Sequence, residues 1–395
     1  MYRKWIVCFF ALSMAVFAFS HLMLNLAESK DEEITRLIEQ SSRHYKPHST
    51  HYLKLVELSS HLSDEQTLSL RQVGYSHFAI EWALRLIKRQ QHTQAWLLIE
   101  HHWADVDEPI KIRVLELLSQ QRRYSFITKI FKQFVAIEPY QTIGQLAQGI
   151  DPSMINHRVL SELGINTLDT PLQVQNGCPH MILLLGGTLD SVIKLQQIKA
   201  QFQASELASR LPYCFSEPVY VGNSVACDGE KGEFIRCNLA QVVHAQQLFT
   251  ARHVVMMSDQ PGLANVRHGM MVLNHLHGFE LFVHELMHFA HFEDEYPVPV
   301  EKASWLCASP GLKAPNLYVG NVPPKGWHSS KTCRLGKLRS YKPSHMHSKM
   351  EYHAINLSNQ YLGLWLKALE QSLLEPSDYQ IYHHQLVNAR PALVK

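Results

Sequence analysis

Residues 284–297 read HELMHFAHFEDEYP, and the reading of this stretch decides what the second half of the chain is built around. On an α-helix, residues four apart share a face, so His284 and His288 aim their imidazoles at one spot with Glu285 beside them. That is the HExxH arrangement, in which two histidines hold a zinc ion and the glutamate serves as general base. The surrounding Phe282, Val283, Leu286 and Phe289 are apolar, which favours a helix buried beneath a cleft floor over a solvated histidine face. The whole segment from NHLHGFELFV through the motif is predicted to be helical.

Working outward, 395 residues suffice for two domains with full cores, and 46% apolar with 18% charged residues is ordinary globular composition. A formal net charge of +2 without a long basic run gives no electrostatic case for nucleic acid, and no nucleic-acid partner is expected. Residues 1–27 place Arg3 and Lys4 ahead of an apolar run from Trp5 to Phe19, the pattern of a targeting segment. Two readings stand. Ala18-Phe19-Ser20 offers a cleavage site for a signal peptide, while the apolar continuation to Ala27 makes residues 5–27 long enough to anchor the chain in an inner membrane. Both export the bulk of the chain, to a periplasm or beyond. Beyond Cys8 the six cysteines, Cys178, Cys214, Cys227, Cys237, Cys307 and Cys333, are an even set for three disulfides. Cys227 is expected to pair with Cys237 around the turn-rich DGEKGEF loop. No CxxC pair is present, so a structural zinc cluster is not expected.

Residues 31–163 are helical in period, as in HFAIEWALRLIKRQ and EPIKIRVLELLSQQ, and predict a solenoid-like domain of stacked helix pairs in which no fixed repeat period is legible. A loop around 166–179 marks the boundary, leaving a second domain over 178–375 and a tail over 376–395. In that domain HMILLL predicts a buried strand, Gly186-Gly187 a turn, and TLDSVIKLQQIKAQFQASELASRL a long helix capped by Thr188. The double glycine lacks the spacing of a nucleotide loop. Further strands are predicted at PVYVG, HVVMMSD and GMMVL and a final helix at NQYLGLWLKALEQSLL, so the class is α+β.

HELMHFAHFED resembles the extended metzincin motif HExxHxxGxxH, in the variant that ends in aspartate. The continuation DEYP, then PNLYVG, Trp327 and SKMEY, is similar to the IgA-peptidase-type metallopeptidases. The resemblance spans roughly Pro179 to Leu374. It implies a metzincin-like zinc-peptidase domain with a mixed twisted sheet and one Zn2+ held by His284, His288 and Asp294. His291 stands where metzincins have glycine, so its backbone has to accept a left-handed turn. One residue fewer separates His288 from the DEY triplet than in the family, so Glu295 is an alternative third ligand and His291 another. SKMEY, Ser348 to Tyr352, matches the Met-turn pattern, which implies Met350 as an apolar floor under the metal and Tyr352 near the oxyanion. SHMHS, with Met346, offers a competing register, and a methionine and tyrosine simply packed before the final helix fit the same residues.

The expectation is an exported zinc metallopeptidase acting on peptide or protein substrates, with Glu285 as general base. The alternative is a catalytically degenerate peptidase fold whose helical domain makes it an envelope interaction module. A gluzincin, with its third ligand on a later helix, has only Glu301 nearby, too close to Pro297 and Pro299 for such a helix.

Overall fold

The computed structural model describes residues 32–41, 43, 46, 49–171 and 177–389, and the expected targeting segment lies outside them. Among the described residues no helix is long and apolar enough to cross a membrane. The chain is α+β, with a helical region over about residues 32–162 followed by mixed sheets with helices. Two compact units divide at Gln141/Thr142, earlier than the expected loop. The boundary falls within the helix Tyr140–Ala147, most of which, with His157–Glu162, counts with the second unit. The segment between them is tied there by backbone acceptors: the Tyr220 hydroxyl donates to the Ile150 carbonyl at 2.6 Å and the Asn223 amide to that of Gly149 at 2.7 Å.

In the first unit a repeat emerges that the residue pattern concealed. Helices Ser76–Lys88 and His92–His102 form one pair, and Glu108–Gln120 and Tyr124–Gln133 form a second. Both helix starts recur after 32 residues. So do the left-handed residues that close the first helix of each pair, Gln90 at φ 61° and Arg122 at φ 54°. The next amide then reaches back into the helix, Gln91 to the Leu86 carbonyl at 2.9 Å and Arg123 to that of Leu118 at 2.7 Å. The period is one of backbone positions: a left-handed cap filled once by glutamine and once by arginine leaves no shared residue type to detect.

The second unit is organised by a seven-stranded sheet. Its strands are β1 (Asn166–Thr167), β2 (His180–Gly186), β3 (Tyr213–Phe215), β4 (Val219–Tyr220), β7 (His253–Ser258), β8 (Asn265–Arg267) and β9 (Met270–Asn274). Between β4 and β7 in sequence, β5 (Ala226–Asp228) and β6 (Arg236–Asn238) form a separate hairpin. The order is β1-β4-β2-β7-β9-β8, with β3 also on β2, and every pairing is parallel except β8 with β9. HMILLL, HVVMMS and MMVL are continuous apolar runs because both faces of these central strands are covered. One face, with Ile182, Leu184, Val255 and Met257, packs on helix Leu189–Ala204, on the histidine helix and on helix Asn359–Ser372. The other, with Leu183, Leu185, Val254 and Met256, packs on Tyr379 of helix Asp378–Ala389. Residues 378–389, read as part of a tail, thus form a helix, since a doubly apolar sheet needs a cover on each face.

The long helix after Gly187 is capped by Thr188 as expected, but it ends at Ala204. There Ser205 turns extended, its hydroxyl donating to the Phe202 carbonyl at 2.7 Å, and a short helix Glu206–Arg210 follows. A smaller antiparallel sheet, β10 (Gly311–Ala314), β11 (Leu317–Gly320), β13 (Arg339–Lys342) and β12 (His328–Ser330), has its own core around Val298, Leu306 and Leu317. All six cysteines are paired, Cys227–Cys237 as expected, Cys178–Cys214 and Cys307–Cys333 besides. Three disulfides mark a protein of an oxidising, extracytoplasmic compartment.

Candidate metal centre

The histidine helix runs Phe279–His288, so NHLHG is not helical: Asn274 ends β9, and the chain turns through His275–His277 to Gly278 at the N-cap. Phe282, Val283, Leu286 and Met287 are buried against the sheet, which leaves His284 and His288 to face the next part of the chain. The helix ends because His291 is left-handed at φ 59°, the conformation expected where metzincins have glycine. Its amide bonds the His288 carbonyl at 3.0 Å, that of Phe292 reaches Met287 at 3.4 Å, and the chain reverses.

That reversal brings Asp294 over the histidines. Its Oδ1 lies 3.3 Å from His284 Nε2 and 3.4 Å from His288 Nε2. The three are the only group of metal-binding type with three or more members among the described residues. Each imidazole spends its other nitrogen on a backbone carbonyl, His284 Nδ1 on Lys349 at 2.8 Å and His288 Nδ1 on Phe292 at 2.7 Å. A ring that donates from Nδ1 keeps Nε2 for an ion, which would take the place of any proton there. Asp294 Oδ1 is buried and makes no aligned hydrogen bond. Ligand atoms at about 2.0–2.2 Å from a tetrahedral zinc stand about 3.3–3.6 Å from one another, and the two distances from Asp294 to the histidines match that spacing.

The electrostatics ask for a positive charge here. Burial works against charge on His288, but Asp294 and Glu285 outweigh it and push the imidazole up to about 9. Burial likewise disfavours ionised Asp294, yet the two histidines hold its carboxyl far below the usual range. Glu285, 5% exposed, is raised mainly by burial, with the histidines pulling against it. A raised carboxylate beside the metal position takes up a proton readily.

The other candidates are placed elsewhere. The Glu295 carboxylate is buried and meets four donors: Tyr361 Oη at 2.5 Å, Ser348 Oγ at 2.5 Å, Asn316 Nδ2 at 2.9 Å and Lys342 Nζ at 3.3 Å. His291 points its Nδ1 to Asp378, 3.7 Å away. Glu301 does sit on a helix, Val300–Leu306, but it is exposed. Of the two methionines, Met350 is fully buried in the core shared with Leu286, Met287 and Phe292, while Met346 is exposed. Tyr352 is half exposed and stands against His347 and Lys331. Trp327 packs on Tyr318 of β11.

Three residues escaped the sequence reading. Asn316, fully buried, pairs its amide with both backbone groups of Glu293, at 2.9 and 2.7 Å, and so holds the chain just before Asp294. It lies inside the quoted PNLYVG, the one signal that pointed to it. Thr332 Oγ1 donates to the Asp294 carbonyl at 2.7 Å from across the small sheet. The Tyr296 phenol is pushed up by burial, by Asp294 and by Glu285, so this tyrosine of the DEY triplet stands near the triad. No protein-family model matches the chain, and no curated protein matches it.

Proposed function

We propose that the chain is an exported zinc-dependent metallopeptidase of metzincin type, nearest to the IgA-peptidase-type enzymes, that cleaves peptide bonds of peptide or protein substrates. The observation that carries the reading is the convergence of His284 Nε2, His288 Nε2 and the orphaned Asp294 Oδ1, with both Nδ1 atoms already spent. Further support comes from the left-handed His291, which lets the chain make the turn the family makes with glycine, and from Met350 in the core behind the helix.

His284, His288 and Asp294 would hold the ion, which when bound polarises the scissile carbonyl and activates water. Glu285 takes the proton from the attacking water and delivers it to the leaving amine, a task suited to a carboxylate whose proton affinity burial has raised. Tyr296, facing the same space and partly open to solvent, donates to the carbonyl oxygen as negative charge develops there. Export rests on the three disulfides together with the targeting segment at 1–27, as signal peptide or anchor.

The test is zinc content and peptide hydrolysis by the purified chain beside His288→Ala. About one zinc per chain and hydrolysis, both lost in the variant, support the reading. A chain that takes up no zinc after chelator-free purification and zinc addition sinks it.

A further inference from the structure

Lys349 is fastened to the histidine helix at two points. Its carbonyl accepts the Nδ1–H of His284 at 2.8 Å, and its ammonium donates to Glu280 Oε2 at 2.5 Å. Glu280 and His284 are four residues apart, one above the other on a single helix face. The Lys349 side chain is only 3% exposed, and besides Glu280 it meets the His353 carbonyl at 2.7 Å. A buried ammonium is costly without an ionic partner, so the half-exposed Glu280 determines where this side chain rests. Both contacts with the histidine helix thus run through one residue, the carbonyl to His284 and the ammonium to Glu280.

We propose that Lys349 and Glu280 are positioning residues for His284: the ion pair holds the Lys349 carbonyl where it selects the Nδ1–H tautomer and aims Nε2 at the ion. The identity of the ion as zinc rests on the metallopeptidase reading above; the tautomer selection does not. A metal-ligating histidine keeps its orientation through the partner of its other nitrogen, and losing such a partner typically weakens metal binding about 10–100-fold. Here that partner is a backbone carbonyl, which no substitution removes, so its position has to be controlled through the side chain.

The experiment uses the full chain and the variants Lys349→Met, Lys349→Arg and Glu280→Gln. Zinc affinity is read by chelator competition, and the His284 tautomer by nitrogen-15 chemical shifts in zinc-free protein. Lys349→Met is expected to bind zinc about 10–100-fold more weakly and to show the second tautomer, and Glu280→Gln about tenfold more weakly. Lys349→Arg, which keeps the charge, recovers most of the affinity. If Lys349→Met fails to fold, Glu280→Gln carries the test from its half-exposed position. Wild-type affinity and a single tautomer in Glu280→Gln overturn the proposal. If the unaltered chain takes up no zinc, the metallopeptidase reading fails, and the tautomer measurement alone decides for or against the positioning pair.

Discussion

Two of the histidine pairs within the second unit have opposite chemistry. His284 and His288 meet edge to face, 5.2 Å between ring centroids, with Nδ1 atoms on carbonyls and Nε2 atoms on a carboxylate. His180 and His253 lie parallel at 6.1 Å, begin the neighbouring strands β2 and β7, and leave their ring nitrogens without aligned hydrogen bonds. His253 also stacks on Phe289, one residue past His288. His284, His180 and His253 are buried and His288 partly so, yet His288 is pushed up to about 9 whereas burial, with Arg252 adding to it, lowers His180 to about 4. Burial alone therefore does not make a metal site. What separates the pairs is a neighbouring carboxylate in one case and a guanidinium in the other, together with carbonyls that free the ligand nitrogens.

The comparison is sharpened most by Glu285→Gln. It should keep zinc within a few-fold while peptide hydrolysis falls by up to about 10⁴, since the base is not a ligand. Parallel loss of metal would give Glu285 the wrong role. Asp294→Asn should weaken zinc by about 10³, because the carboxylate is what turns two histidines into a cation site. Its neighbour Glu295→Gln should keep the metal and instead cost about 3 kcal/mol of stability, as four donors lose a buried acceptor charge. Zinc titration and denaturant melts on the two variants separate these outcomes, and the reverse pattern moves the third ligand one residue on.

The second pair supplies a pH test. Its histidines are neutral when folded, so the unfolded chain binds more protons between about pH 6.5 and pH 4. The stability tied to His180 is present above about 6.5 and is lost as pH falls towards 4, roughly 3 kcal/mol in all. The groups facing the pair are Arg252, Tyr213 and His291. In His180→Phe the acid limb of stability should flatten by about that amount relative to the unaltered chain, with zinc affinity at neutral pH unchanged. An identical acid limb would show that the pair carries no such penalty. The smallest effect is expected from the tyrosines: Tyr296→Phe should lower kcat about tenfold with little change in KM, while Tyr352→Phe, standing with Lys331 and His347, stays within about twofold.

Much of this was legible in the order of residues. The apolar runs of β2, β7 and β9 announced buried strands, Thr188 announced its cap, and the nine-residue loop between Cys227 and Cys237 announced a disulfide. The cover helix Asp378–Ala389 was not: Tyr379, Tyr382 and Leu386 stand at helical spacing in DYQIYHHQLVNA, but polar and histidine side chains fill most of the other positions, and only Tyr379 and His383 are buried. The helix start at Phe279 was missed because Asn274, which periodicity placed in the helix, ends a strand whose turn it also supports through Leu276.

The histidine helix itself follows from local geometry, in which a four-residue spacing on one face needs no distant partner to be read. The sequence by itself therefore determined the two imidazoles, the glutamate beside them and the need for a turn at His291. Which carboxylate answers them was decided only by tertiary structure. Asp294 and Glu295 are adjacent, and in extended chain neighbouring side chains point opposite ways, so their roles depend on the direction the chain takes after one left-handed residue. That direction is held by Asn316, Thr332 and Ser348, and the ligand orientation by Lys349, contacts made 21 to 69 residues away. Pairings across such distances arise when separate parts of the chain pack around one turn, and no local pattern encodes them.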